Sequence, residues 1–251
     1  MDLVIIIFLL GGLFLGWSLG ANDAANVFGT AVGTRMVRFK TAAIVCSLFI
    51  ILGAVISGSG TTETLGKLGA INALPGAFAA CVAAGISVYI MTKFGLPVST
   101  TQAIVGAIVG WNLYTGSSTN IKVLLTILST WILCPIITAL IAMLFFVMTK
   151  KLLKSTTWHI LRLDAYTRTA LLVAGAFGAY SLGANNIANV MGVFVPIAIF
   201  ADIQLGSFLI FSSKEQLFLL GGIAIAVGVF TYSKTVSYTH LRAHETLRYL
   251  V

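Results

Sequence analysis

A single acidic side chain lies within the apolar stretches of this 251-residue chain. It is Asp23, in the segment GANDAAN of residues 20–26, where Asn22 and Asn26 flank it. A charged group at the centre of a membrane helix costs about 2.5 to 3.5 kcal/mol to insert, so such residues are usually functional. Because carboxylate and amide oxygens suit hard cations, we predict a cation site that includes these three side chains. The simpler alternative is a neutral Asp23 that caps an interrupted helix.

The same pattern occurs a second time in the chain. Residues 18–29 read SLGANDAANVFG and residues 181–192 read SLGANNIANVMG, with nine identities in twelve positions. The second copy offers three further amides, Asn185, Asn186 and Asn189. Paired, interrupted apolar segments in two halves of one chain are typical of secondary transporters whose site lies at the repeat interface. We therefore predict that both segments, called the signature segments below, interrupt their helices.

A third polar segment, GLPVSTTQ at residues 95–102, divides the longest apolar stretch. Pro97 suits the turn before a helix, and the next residues are favoured helix caps. Three hydroxyl side chains would then lie beside the free N–H groups of a helix start, which favours an anion. They are Ser99, Thr100 and Thr101. The alternative is ordinary capping, with hydroxyls bonded to the backbone.

An anion next to Asp23 predicts coupled binding. The two negative charges repel each other, so Asp23 must be neutralised by a cation or accept a hydrogen bond from a protonated oxyanion. Cation and anion then bind better together than alone, and this mutual dependence is what a symporter requires.

The composition excludes a soluble protein. Hydrophobic residues make up 59% of the chain and charged residues 9%, against about a quarter charged in globular proteins. Six apolar stretches are long enough to enter a membrane: 3–34, 41–59, 73–115, 122–149, 168–201 and 216–233. We predict an all-α, polytopic membrane protein, an inverted-repeat transporter with broken helices and a re-entrant hairpin.

The basic residues predict the orientation of the chain. If residues 73–115 form a re-entrant hairpin with its tip at residues 95–101, three true spans precede the second repeat, which is then inverted. Two full spans in this stretch would give the same parity, so the charge pattern supports the inversion more firmly than the hairpin. With the N-terminus outside the plasma or inner membrane, eight basic residues lie in the cytoplasm, as the positive-inside rule requires. They are Arg35, Arg38, Lys40, Lys150, Lys151, Lys154, Arg162 and Arg168, against Lys67 and Lys122 outside in this first stretch of the chain. The net charge of +8 therefore indicates membrane orientation and not binding to nucleic acid.

Three segments together carry a family resemblance: GANDAANVFGTAVGTR, GLPVSTTQAIVGAIVGW and GANNIANV. Over about residues 1–236 the chain closely resembles the inorganic phosphate transporters of the PiT family, which includes sodium- and proton-coupled members. The resemblance implies an inverted repeat with two Ser-Thr-Thr hairpins and phosphate between the hairpin tips and the signature segments. It implies phosphate ligands at Ser99, Thr100, Thr101, Asp23 and Asn186. It implies cation ligands, holding Na⁺ if the transporter is sodium-coupled, at Asn22, Asp23, Asn26, Gln102, Asn185 and Asn189.

The chain departs from the family pattern in three respects. Gln102 stands where many members have His, and Asn186 stands where many have a second Asp. The repeat predicts a second hairpin tip near position 262, beyond Val251. We predict a first repeat at 1–149, a basic cytoplasmic linker at 150–167, the start of a second repeat at 168–236 and a non-native tail at 237–251.

We therefore predict a phosphate symporter coupled to Na⁺ or H⁺, with phosphate and the lipid bilayer as partners and no cofactor. One alternative is transport of a related oxyanion such as sulfate or arsenate. Another is an inactive fragment, since half of the phosphate site would be missing. An anion channel would not explain Asp23 beside an anion-binding helix start. An intramembrane enzyme is disfavoured because the three histidines lie outside the apolar stretches and form no HExxH motif. The sequence leaves open whether the chain forms a homodimer.

Overall fold

The architecture is helical and suited to a membrane. The computed structural model describes residues 3–68, 74–96, 98–155, 159–197, 200–205 and 209–236. Its helices are α1 (Leu3–Gly33), α2 (Phe39–Ser57), α3 (Ser59–Gly66), α4 (Leu74–Lys93), α5 (Thr100–Thr115), α6 (Ile121–Ser155), α7 (Ile160–Met191) and α8 (Ser213–Thr231). Within the described residues, six of them are long and apolar enough to cross a membrane, namely α1, α2, α4, α6, α7 and α8. The predicted all-α, polytopic membrane architecture is confirmed.

One feature of the connection between α7 and α8 was not predicted. A single 3-10 turn, Val195–Ile197, is followed by two short antiparallel strands, β1 (Ile203–Leu205) and β2 (Leu209–Phe211). Two parts of the chain for which predictions were made from the sequence lie outside the described residues. They are Pro97 and the tail at 237–251.

The predicted break in the two signature segments is wrong. Helix α1 continues for 31 residues through GANDAAN, and α7 continues for 32 residues through GANNIAN. The polar side chains are satisfied without unwinding, because Asn22 donates to Thr92 of another helix and Asn186 donates to the carbonyl of Leu182 one turn earlier. The three alanines of GANDAAN are also the strongest helix formers.

Helices α4 and α5 form the predicted hairpin, and its tip ends inside the bundle. Helix α4 runs parallel to α1, since Gly11 lies against Phe78 and Asn22 bonds to Thr92. The end of α4 is therefore level with Asn22, about eleven residues or 16 Å before the end of α1. The hairpin enters and leaves at the end of the bundle where α1 begins, which is the geometry of a re-entrant hairpin.

The hairpin turn is formed by one capping motif at the end of α4 and another at the start of α5. Gly95 has φ +71°, a left-handed conformation that glycine adopts without strain. Its N–H donates to the Thr92 carbonyl at 3.0 Å, and the Leu96 N–H donates to the Met91 carbonyl at 2.9 Å, which is a Schellman motif. The predicted cap is confirmed at Ser99, whose side chain accepts from the N–H of Gln102.

The two repeats are inverted. Helices α1 and α7 run antiparallel, because Gly12 lies against Val190 and Phe194 whereas Gly175 lies against Phe28. The most extensive helix contact joins α2 with α7, and the contact of α1 with α8 equals that of α1 with α4 within its own repeat. Each repeat therefore packs its first helix on the second helix of the other repeat.

Equivalent glycines make these two exchanged contacts possible. A Cβ on Gly20 would overlap the carbonyl oxygen of Ile225 in α8, and a Cβ on Gly183 would overlap that of Ile50 in α2. The two glycines hold the same position in the signature segments. Backbones that approach this closely require a small residue at the crossing. The two close backbone contacts between the repeats are therefore related by the inverted symmetry.

The basic residues assigned to opposite sides of the membrane lie toward opposite ends of the bundle. The guanidinium of Arg168, near the start of α7, donates to the Met36 carbonyl between α1 and α2 at 2.7 Å. At the other end, where Lys67 and Lys122 lie, the Asn120 N–H donates to the Leu68 carbonyl at 3.0 Å. The structure therefore separates the eight residues assigned to one side from the two assigned to the other.

We expect Gly183→Ala to lower the free energy of unfolding by about 1 to 3 kcal/mol, because the added methyl group overpacks the crossing with α2. The matched control is Gly110→Ala, since a Cβ at Gly110 meets nothing within 4 Å. Thermal unfolding in detergent, followed by circular dichroism, measures both. Equal midpoints for the two variants would contradict the proposed role of the crossing.

Candidate functional site

The hairpin tip touches both signature segments. The Thr100 hydroxyl donates to the Asp23 carboxylate of α1 at 3.4 Å. The next residue, Thr101, accepts from the side-chain amide of Asn189 of α7 at 2.8 Å. The first turn of α5 is therefore held between the two repeats, as the polar segments predicted.

The α7 side of the site is a chain of amides. The Asn189 side-chain nitrogen also lies 2.9 Å from the Asn186 oxygen, and the Asn186 nitrogen donates to the Leu182 carbonyl at 3.1 Å. Both asparagines are buried, with 4% and 8% of their surface exposed. Buried amides of this kind have fixed orientations, because every unpaired donor in such surroundings costs about 1 to 3 kcal/mol.

Asn22 positions the hairpin. It is buried, and its amide donates to the Thr92 hydroxyl at 2.8 Å. Thr92 lies in the last turn of α4, directly before the hairpin turn. Thr92 was not predicted from the sequence, because threonine near a helix end has many structural roles and nothing in the local sequence marks this one as part of the site.

A cavity of about 520 Å³ adjoins the start of α5. Five of the predicted site residues line it: Ser99, Thr101, Gln102, Asn185 and Asn189. Its other walls come partly from α3 and α6, through Thr61, Thr130 and Trp131. The Thr61 hydroxyl donates to the Ala184 carbonyl at 3.2 Å, which ties α3 to the signature segment of α7. These wall residues were not predicted, since nothing in their local sequence distinguishes them from membrane-helix residues.

Asn26 does not line this cavity. It is exposed and lines a separate cavity of about 360 Å³ between α1 and α7, together with Thr30, Gly175 and Gly178. Its repeat equivalent is Asn189, which does contact the hairpin tip. The structure therefore brings together the other predicted residues at the tip and leaves Asn26 apart.

The charge of the site is set by Asp23. Among the described residues, no lysine or arginine forms an ion pair with its carboxylate. Its repeat equivalent is the neutral Asn186. The region around the hairpin tip thus combines one acid with hydroxyl and amide groups, and an ionised Asp23 would disfavour an oxyanion bound beside it.

Comparison with known proteins assigns the chain to a family. The model of the phosphate transporter family matches residues 19–240. The chain belongs to the phosphate transporter family. This family is one of transporters and not of enzymes, in agreement with the sequence analysis.

Relatives in this family cover different parts of the chain. A protein of Pyrococcus furiosus, named as a putative phosphate permease, is 38% identical over 156 residues, which are 58% of this chain and 38% of that protein. The inorganic phosphate transporter 2-1 of Arabidopsis thaliana chloroplasts is 32% identical over 55% of this chain and 25% of its own length. The matched region is therefore well under half the length of each of these two relatives.

A solved structure shares the fold. It is described as the sodium-dependent phosphate transporter and has a TM-score of 0.75 to this chain, at 24% sequence identity. The match covers 95% of this chain and 78% of that one. The arrangement of helices is therefore shared with a solved phosphate transporter.

A double-mutant cycle tests whether Asn22 positions the hairpin. We expect Asn22→Leu and Thr92→Val to show a coupling free energy of about 0.5 to 2 kcal/mol, because each change alone leaves the other polar group buried and unpaired. Unfolding free energies of the two single variants and the double variant give this value. The control cycle pairs Thr92→Val with Thr126→Val, whose hydroxyl bonds within α6. Coupling no larger than in the control would show that the two side chains act independently.

Proposed function

We propose that this chain carries the phosphate- and cation-binding site of a cation-coupled phosphate symporter in the cell membrane. The observation that supports it most strongly is the contact of one hairpin tip with both repeats, through Thr100 with Asp23 and Thr101 with Asn189. A substrate bound at this tip would contact both halves of the molecule. Relative movement of the repeats would then change which side of the membrane reaches the substrate.

The proposed phosphate ligands are the hydroxyls and backbone N–H groups at the start of α5. Ser99, Thr100 and Thr101 supply the hydroxyls, and the helix start adds its partial positive charge. Asp23 and Asn186 complete the site from the two signature segments. Neutral donors bind the anion without the strong attraction of an arginine, so that phosphate can also leave.

The proposed cation ligands are oxygen atoms around the same tip. They belong to Asn22, Asp23, Gln102, Asn185 and Asn189. Two unit charges 4 Å apart repel by about 4 kcal/mol at an effective dielectric constant of 20, so an ionised Asp23 at that distance would weaken phosphate binding by about a thousandfold. A cation bound to Asp23 cancels this repulsion, which couples the two ligands. Asn26 is left out because it lines the other cavity.

We further propose that the coupling ion is Na⁺. An all-oxygen ligand set suits Na⁺, and the solved relative is described as sodium-dependent. A proton on Asp23 would remove the same repulsion, so proton coupling is the competing case. The two cases differ in whether phosphate affinity follows the Na⁺ concentration or the pH.

Binding of labelled phosphate to the purified chain in detergent tests this proposal. We expect 100 mM Na⁺ to raise the affinity at least tenfold over choline, at constant pH. Thr101→Val lowers the affinity at least tenfold because it removes a hydroxyl donor, whereas Thr101→Ser preserves it. An affinity that ignores Na⁺ but rises as the pH falls would replace sodium by proton coupling. Stronger competition by sulfate or arsenate than by unlabelled phosphate would contradict the substrate assignment.

Cysteine labelling tests the proposed orientation, with the N-terminus outside. The background chain has its three native cysteines replaced by alanine. We expect a membrane-impermeant maleimide to label Lys122→Cys in intact cells, because this residue begins α6 on the outer side. Lys151→Cys, at the other end of the same helix, reacts only after the cells are opened. The reverse pattern would invert the topology.

A further inference from the structure

The second half of helix α6 has almost no protein around it. The helix is 35 residues long, and Ile127 is the one residue that is buried in it. Large apolar side chains remain exposed along its second half, for example Phe145 at 62% and Met148 at 57%. Nothing in the described part of the chain covers this surface, and the helix is apolar enough to cross a membrane.

The final turns of α6 separate charge from apolar surface. Lys150, Lys151 and Lys154 are spaced so that all three fall within about 100° of one helix face. Leu152 and Leu153 lie on the opposite face and are exposed. An amphipathic helix end of this kind belongs at the boundary between acyl chains and headgroups.

The three lysines surround a shallow cavity. It has a volume of about 450 Å³, and its walls are these lysines with Val147 and Ser155. Among the described residues, no carboxylate forms an ion pair with any of the three ammonium groups. The Lys150 ammonium lies 5.8 Å from the centre of the Phe146 ring, which directs it back toward the apolar part of the helix. Positive charge is thus concentrated where the apolar surface ends.

We propose that the C-terminal end of α6 binds the headgroup of an anionic phospholipid. The three ammonium groups match the phosphodiester. The Ser155 hydroxyl donates to the Leu152 carbonyl at 2.9 Å, so it is left to accept a hydrogen bond from a neighbouring polar group of the lipid. The exposed apolar surface from Phe145 to Met148 matches the acyl chains of the same molecule. Free phosphate has no counterpart for this apolar surface, so the occupant is a membrane lipid and not a second substrate ion.

The strength of this site is set by charge. A lysine near an anionic membrane surface contributes about fivefold to binding, so three lysines together contribute about a hundredfold. The site is also expected to weaken at high salt, because exposed charges are screened within about 10 Å at 0.1 M.

Native mass spectrometry of the 251-residue chain, equilibrated with mixed micelles of phosphatidylglycerol and phosphatidylcholine, tests the proposal. We expect selective retention of phosphatidylglycerol. The triple variant K150Q/K151Q/K154Q lowers this retention by at least tenfold, and K150R/K151R/K154R preserves it. The matched control is Lys122→Gln, at the other end of the same helix, which leaves retention unchanged.

Three results would overturn the proposal. One is equal retention of the two lipids by the unchanged chain. Another is the same loss in Lys122→Gln as in the triple variant, which would indicate general attraction to positive charge. The third is displacement of phosphatidylglycerol by millimolar inorganic phosphate, which would make the cluster a site for the free ion.

Discussion

The close approach of helix backbones at two symmetric crossings is the constraint on which the rest of this fold depends. At one crossing Gly20 lies against Ile225, and at the other Gly183 lies against Ile50. Without side chains at these glycines, carbonyl groups of one repeat come into contact with the helix of the other. Because membrane helices gain little from the hydrophobic effect within lipid, such close packing is a main source of their association. The crossings also fix the depth of both signature segments, since each glycine is the third residue of one of them.

The site follows from that arrangement. Asp23 lies three residues after Gly20, and Asn186 lies three residues after Gly183. Once the crossings are formed, these positions are set on two antiparallel helices, and the hairpin tip can reach both. The Asn22 to Thr92 hydrogen bond holds the end of α4 at the same level. Rigid helices, and not unwound segments, therefore position the polar groups, which limits the entropy lost when a ligand binds.

Much of this could be predicted from the sequence, and the exceptions have a physical reason. The inverted repeat, the hairpin and the Ser99 cap follow from spacing and local chemistry, which are visible in one chain. The continuity of α1 and α7 was not visible, because Gly, Asn and Asp weaken a helix in isolation but also serve as packing and bonding residues across helices. Thr92 and the cavity wall at Trp131 depend on which helices meet, which is a tertiary property. The separation of Asn26 from the other predicted ligands depends on helix rotation, which a one-dimensional pattern does not specify.

The repeats are symmetric in shape but not in charge, and this asymmetry bears on the proposed coupling. Asp23 and Asn186 occupy equivalent positions, yet one is acidic and the other neutral. Thr100 donates to the acid, whereas Thr101 accepts from an amide of the other repeat. The two neighbouring hydroxyls at the start of α5 therefore play opposite roles, with Thr100 as a hydrogen-bond donor and Thr101 as an acceptor. In the proposed mechanism, a phosphate oxygen at Thr100 would compete with Asp23 for the hydroxyl proton, and a cation bound to the carboxylate would weaken the hydrogen bond from Thr100 to Asp23. Neutralising Asp23 would then free a donor and remove a repulsion in one step, so a single acid would be enough to couple the two proposed ligands.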